Sequence, residues 1–474
     1  TAGTITFAGA SSFTGSASIS ARTSRNLVFA SGSSLDTLNG NILLVANQQA
    51  VATSGNFIGI LFDAATVEAT GTGAVTVQGR GGNSGGAQYG VGVQSGAVLS
   101  GGPSGPLIVT GTGGATSGND NYGVYLQDAN SRITSGGGNV SVIGQGGGAG
   151  ASGNNAGVYV ITAGQITAGG TGTVTVVGTG GATSGSSNHG VFMAGPNTQI
   201  ASGGGNVSVT GTGTAVGEAI YLQSSAAITT ATTPAPILLT ADSLNISASS
   251  ITAGTDLVTI QPRTAGTLID LGGADVLSGS PLTLGLTDAE LDQVTAGTLE
   301  IGNISSGSLT VSTNITRPAT TVVELISGSD VVLSGGQVNT AGGTLLLDPG
   351  VTPAAVKPTR TATDATASTV SFGSDLNINI VGTTVDTQYT QLNVVGAVNL
   401  ANADLVLSGG YVAQLGDVFT IVSATSVTGT FTGWPDGGTV GVFNGRTLEV
   451  NYTATTVTLL VSAVPVELQS FEVE

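Results

Sequence analysis

His189 is the only histidine in the chain, and cysteine is absent. Common zinc sites need several His or Cys ligands, so they are excluded. Cys–His catalysis is excluded too, and a Ser–His–Asp arrangement has little to build on. His189 stands just before a Gly-Val pair, where other copies of the same pattern place Tyr89, Tyr122 and Ala156. That recurrence makes Tyr89, Tyr122 and His189 a side-chain ladder rather than a metal or catalytic set. Carboxylate chemistry on glycosidic bonds needs two acids on one face. Here the acids are scattered: Asp120 lies in a loop, and Asp128 and Arg132 flank one turn, where a salt bridge is the simpler reading. The calcium-binding pattern Gly-Gly-x-Gly-x-Asp is absent; Ser135-Gly136-Gly137-Gly138-Asn139 has the glycines without the acid. Thr173-Val174-Thr175 occurs once in that form, too irregularly for an ice-binding ladder. Asn139, Asn206 and Asn245 open Asn-x-Ser/Thr triplets, which matter only in a eukaryotic secretory pathway. The expectation is a non-enzymatic protein with no catalytic, cofactor-binding or metal-binding residues.

Composition points to the scaffold. Gly accounts for 78 of 474 residues and charged residues for 8%, against averages of about 7% and about 25%. No three-residue glycine period exists, which excludes collagen. Val, Ile and Thr are abundant, which excludes a charge-rich disordered chain. Nine Lys and Arg against 27 Asp and Glu leave a net charge of −18. Such a chain does not neutralise phosphates, and nucleic acid and anionic membranes are excluded as partners. Lys357 is the only lysine. No apolar run approaches the ~20 residues of a membrane helix, so membrane insertion is not expected. The first residue is Thr1, and we expect a processed chain or a piece of a longer one.

A repeat sets the fold. Gly59-Ile60-Leu61, Gly90-Val91-Gly92-Val93, Gly123-Val124-Tyr125-Leu126, Gly157-Val158-Tyr159-Val160 and Gly190-Val191-Phe192-Met193 recur at intervals near 33 residues, with a degenerate copy at Ala219-Ile220. A second anchor runs in phase and closes on Gly79, Gly111, Gly144, Gly178 and Gly211. A weaker third strand shows in Arg132-Ile133-Thr134, Gln165-Ile166-Thr167 and Gln199-Ile200-Ala201. Three short strands per unit, none able to bury a face alone, predict an all-β, right-handed parallel β-helix with coils of ~33 residues. Glycines are expected at corners that need positive φ. Residues 1–346 are assigned to the helix, with regular repeats over 58–222. Residues 347–371, rich in Pro, Ala and Thr, read as a linker or excursion. Residues 372–463 read as a β-rich capping region in which Trp434 covers an open end. Residues 464–474 read as the start of a following domain. Thr287 with Glu290 forms a capping box for a short helix.

Three stretches resemble known families. The ~33-residue units, together with Leu284-Gly285-Leu286-Thr287-Asp288-Ala289-Glu290-Leu291, resemble filamentous-haemagglutinin-like repeats of large bacterial surface proteins. Tyr389–Val394, Leu415–Val422 and Phe431–Gly437 are similar to the last coils of autotransporter passenger domains. Val464-Pro465-Val466-Glu467-Leu468-Gln469-Ser470-Phe471 resembles the junction before the Bacteroidota C-terminal domain that engages the type nine secretion machinery. The last resemblance implies O-glycosylation at Asp-Ser/Thr-aliphatic triplets, matched by Thr37 and Ser243. Together they imply an extracellular, cell-surface adhesin or structural stalk with a glycan or cell-surface ligand. The alternatives are a self-assembling filament or sheath subunit and, less favoured, a polysaccharide-acting enzyme.

Overall fold

A computed structural model describes residues 3–230, 233–351, 353–359 and 362–463. The described residues are all-β apart from one helical turn, and they build long parallel sheets from repeated strands. It divides into two compact units. The first holds residues 1–267 and 274–299; the second holds 268–273 and 300–474. The division falls within 268–299, not at 347.

In the first unit, consecutive strands belong to different sheets and each strand pairs with the one three further along the chain. The first sheet runs from Ile5–Phe7 through Val91–Gln94, Val124–Leu126, Val158–Ile161 and Val191–Ala194 to Leu244–Ser247. The second runs from Ala10–Phe13 through Arg132–Ser135, Gln165–Ala168 and Gln199–Ser202 to Val294–Thr295. The third includes Val75–Arg80, Leu107–Thr112, Val140–Gln145, Val174–Thr179 and Val207–Thr212. Pairing is parallel and the register does not slip: Val91 faces Val124, which faces Val158, which faces Val191. Side chains alternate along each strand, so a constant register turns each position into a column. Val91, Val124, Val158, Val191 and Ile220 form one wholly buried column. Phe7, half-buried, stacks on the buried Phe29 and Phe62 in a ring column, with centroids 4.3 and 4.8 Å apart.

The anchor glycines have a different role from the corner glycines. Gly59, Gly90, Gly123, Gly157 and Gly190 all lack a positive φ. Their backbones instead lie against the end of a third-sheet strand. A Cβ on Gly123 would sit 2.4 Å from the Gln145 nitrogen, and one on Gly111 would sit 2.0 Å from the Gly123 carbonyl oxygen. Left-handed residues recur at the corner between the first and second sheets, where Gly96, Asn130, Ala163 and Ser225 have φ of 83°, 69°, 67° and 70°.

The second unit stacks shorter repeats. Leu309–Val311, Val331–Leu333, Val356–Pro358, Leu376–Asn379 and Leu405–Ser408 pair in parallel. Val322–Ser327, Leu345–Asp348, Ala365–Phe372 and Leu392–Asn399 do the same. The stretch 347–371 is therefore not a bare linker, because two of these strands fall in it. Pro358 fits because pairing with the following strand is confined to Val356 and Leu376, so its missing N–H is not called on. The parallel run gives way to antiparallel strands Gly438–Phe443, Arg446–Tyr452 and Thr456–Ala463, the last pairing with Val418–Ser423. Residues 464–474, with the secretion-junction motif, lie outside the described residues.

The glycine contact predicts a sharp position effect. A Cβ at residue 157 would sit 2.2 Å from the Thr179 nitrogen. Gly157→Ala should lower the urea midpoint of the first unit by an amount equivalent to at least the ~1–3 kcal/mol of ordinary overpacking. Gly9→Ala, with no atom within 4 Å, should leave it within ~0.5 kcal/mol. Equal effects would disprove the close-approach account.

Candidate functional site

The long loops that precede the first-sheet strands are held by a buried ladder of amides. Asn121, Asn155 and Asn188 are each 0% exposed. The Asn155 Oδ1 accepts the Asn121 backbone N–H at 3.0 Å and its Nδ2–H at 2.9 Å. Asn188 Oδ1 receives the same pair from Asn155, both at 3.0 Å. Asn155 Nδ2 also reaches Ser152 Oγ at 3.1 Å, and Asn188 Nδ2 donates to Thr183 Oγ1 at 2.9 Å. Each asparagine thus ties its loop both to itself and to the next loop. The ladder escaped the sequence reading although its signal was present: Asn stands two residues before Gly123, Gly157 and Gly190.

Beside these loops, aromatic rings stack on the outer face of the first sheet. Tyr125, Tyr159, Phe192 and Tyr221 occupy one register column. Tyr89, Tyr122 and His189 come from the loop ends and interleave with it. Ring centroids are 5.3 Å apart for Tyr89–Tyr122, 4.3 Å for Tyr122–Tyr159 and 4.6 Å for Tyr159–Phe192. Ala156 leaves the space in which Tyr122 and Tyr159 meet. His189 lies 5.5 Å from Phe192 and 5.1 Å from Tyr221. It is bonded to the Glu218 backbone carbonyl, and its Nδ1 is buried without a partner. Burial lowers its pKa to about 4, so the ring is neutral at pH 7. Tyr122 Oη donates to Asp120 at 3.2 Å and accepts from Asn154 at 2.6 Å. Burial, then the charge of Asp120, pushes Tyr89 up to about 12.

At the end of the ladder lies an acidic group that sequence reasoning missed. Glu218, Asp275 and Glu290 line a cleft of about 680 Å3. Along the first sheet each strand donates forward: Val91 N–H to the Gly123 carbonyl, Val124 to Gly157, Val158 to Gly190. Leu244–Ser247 is the last strand of that sheet among the described residues. Its Leu244 N–H goes instead to Asp275 Oδ2 at 3.0 Å, and its Ile246 N–H to Glu290 Oε1 at 3.2 Å. Asp275 Oδ1 accepts from Gly285 at 2.8 Å, and Glu290 Oε2 closes the capping box on Thr287. These carboxyls stand in for the missing strand and block an edge. Burial raises both Glu218 and Asp275 above the ordinary carboxylate range; the Glu218 charge raises Asp275 further, while bonds to Ser243 and Asp275 pull Glu218 back, and Glu218 Oε2 is buried without a partner. The pair therefore holds a proton that the unfolded chain would release. No grouping of three or more His, Cys, Asp or Glu fit to hold a metal occurs among the described residues.

Other expected positions fare differently. Thr37 and Ser243 are 2% and 4% exposed. Thr37 Oγ1 donates to the Gly40 carbonyl at 2.7 Å, and Ser243 Oγ accepts the Ala219 N–H at 2.8 Å. Neither hydroxyl is available for glycosylation in the folded chain. No salt bridge joins Asp128 to Arg132; Asp128 Oδ2 caps the Ser95 N–H at 3.0 Å, whereas Lys357 pairs with Asp330 at 2.6 Å. Trp434 is only partly buried on its turn, while Phe431 is the ring buried there at 1% exposure. The apolar closure in that region comes from the antiparallel strands. Their Leu448, Val450, Val457 and Leu459 are buried.

No family model, curated protein or solved structure matches the chain.

Two measurements check the site. Asn155→Ala orphans the Asn121 N–H, a loss of about 1–3 kcal/mol, and should speed proteolysis within 113–121 and 146–155; unchanged cleavage would remove the ladder from loop ordering. For the acid pair the sign follows from raised folded-state pKa values: stability is present at low pH and lost as pH rises toward about 8. Below pH 6.5 the lowered pKa of His189 acts in the opposite sense. The urea midpoint should therefore fall between pH ~6.5 and ~8.5. Glu218→Gln, whose amide can donate to Asp275 without a second charge, should flatten that fall. An identical slope in the variant would show that the pair does not share a proton.

Proposed function

We propose that the chain is a secreted, non-catalytic adhesin or structural stalk of a bacterial cell surface, folded as a right-handed parallel β-helix. The observation that carries this reading is the Asn121–Asn155–Asn188 ladder. Flexible loops on a rigid scaffold need no buried amide bond from one to the next; loops that present a continuous surface do. Binding residues are commonly placed on loops over a rigid framework. The carboxyls of the cleft are engaged with backbone N–H groups of a terminal strand, which favours a structural role for them over catalysis. Export through the type nine machinery would rest on a following C-terminal domain.

A self-assembling filament subunit is the second reading. It is favoured by exposed apolar side chains on the sheets, Phe13 and Ile143 each at 41% exposure, which a second copy could cover.

The test replaces the exposed loop residues Ser117, Ala151, Ser184 and Ser186 together by Asp. Beads coated with the wild-type protein should retain cells or surface extracts, and beads carrying the variant should lose most of that retention with an unchanged unfolding midpoint. Equal retention would overturn the loop-borne adhesin. Long regular polymers in negative-stain images of the native material would make the filament the primary function.

A further inference from the structure

The middle of the aromatic ladder, which carries Tyr159, His189 and Phe192, lies in a stretch without charged residues. From Ile133 to Gly217 there is no Asp, Glu, Lys or Arg, in a chain whose net charge is −18. The one titratable imidazole in that span, His189, is neutral at pH 7 because burial lowers its pKa. A ligand seated here finds no cation, and Asp120, the acid beside the rings, is already bonded to Tyr122 Oη and Asn154 Nδ2. A polyanion would also be repelled by the rest of the chain.

The ladder as a whole offers the other half of a recognition surface. Tyr89, Tyr159, Ile161, Ala194 and Tyr221 are partly exposed over the ring cluster. Tyr159 and Phe192 share one column, and Ile161 and Ala194 the next, on the outer face of the first sheet. The loops alongside expose Ser184 and Ser186 and partly expose Asn154 and Thr183. Successive rungs lie ~4.8 Å apart, a spacing near the rise of one hexose in an extended chain. Apolar ring surface, hydroxyls, amides and an even rise without charge are what an uncharged sugar polymer can use: its C–H faces meet the rings and its hydroxyls meet the loop groups.

We infer that this face binds an uncharged polysaccharide laid along the stack of repeats. The inference rests on the adhesin reading and narrows its ligand to one chemical class. Binding of the whole protein to mixed-linkage β-glucan, galactomannan and dextran is compared with binding to polygalacturonate and heparin. The measurement is affinity electrophoresis between ~0.01 and ~1 M salt, where the Debye length falls from ~30 to ~3 Å. At least one uncharged polymer should bind with little change across that range. Ala194→Glu, which puts a charge on the strip, should weaken binding about tenfold or more, equivalent to about 1.4 kcal/mol. Gln199→Glu, on the outer face of the second sheet, should leave it unchanged. Ser186→Asp on the loop tip is the second probe, should Ala194→Glu lower the unfolding midpoint. Binding confined to the anionic polymers, or equal losses from Ala194→Glu and Gln199→Glu, would overturn the inference. Retention of cells without binding to any uncharged polymer would overturn it too and leave the adhesin reading standing. Failure of both retention and binding would remove both.

Discussion

Everything in the first unit depends on parallel pairing at a register that does not drift. A single-residue slip would turn every inward side chain outward. The register is held by more than the hydrogen bonds of the ladders. From Gly79 to Gly190 the strand of the third sheet ends with its glycine against the glycine that opens the next first-sheet strand, as Gly111 does against Gly123, while Ala46 and Ala219 take these columns at the flanking repeats. A side chain on Gly111 would meet the Gly123 backbone at 2.0 Å. The two in-phase glycine columns are thus a contact surface between strands, and they set the spacing that the apolar columns of Val91, Val124, Val158 and Val191 then fill.

Constant register also copies chemistry. A residue type that recurs at one position becomes a line of that type, with consequences no single copy has. One buried Asn is a desolvation problem; three in a column satisfy one another, because each carbonyl meets the N–H groups of the neighbour before it. One Tyr on an outer face is a surface residue; stacked with others at 4.3–5.3 Å it becomes a second apolar cluster outside the core. His189 is absorbed into that cluster and loses its usual charge behaviour.

A stack of parallel strands has ends, and its last strand has N–H groups with nowhere to go. The chain answers this twice with different chemistry. In the first unit, an excursion carrying Asp275 and Glu290 supplies carboxylate acceptors to Leu244 and Ile246. In the second unit, antiparallel strands add to Val418–Ser423 and bury Phe419 and Phe431. The first solution concentrates three acids in a cleft and raises two of their pKa values. Asp275 has both its oxygens committed to backbone donors.

The period, the three strands per unit, the parallel all-β class and the capping box at Thr287 were legible in the sequence by itself. Each is a local pattern of residue types, repeated often enough to be read without knowing what touches what. The amide ladder was legible as spacing, but its meaning was not, because Asn before Gly reads first as a turn. Three things waited for the tertiary structure. Glycine at the anchors is required by a backbone from another strand and not by its own φ. Thr37 and Ser243 match a modification pattern, yet folding buries them. Glu218, Asp275 and Glu290 are far apart in the chain, and only the return of the 274–293 excursion to the end of the first sheet brings their carboxyls to one edge. Periodic contacts are written in the chain because each repeat restates them; a contact made once, between segments of unrelated sequence, has no such record.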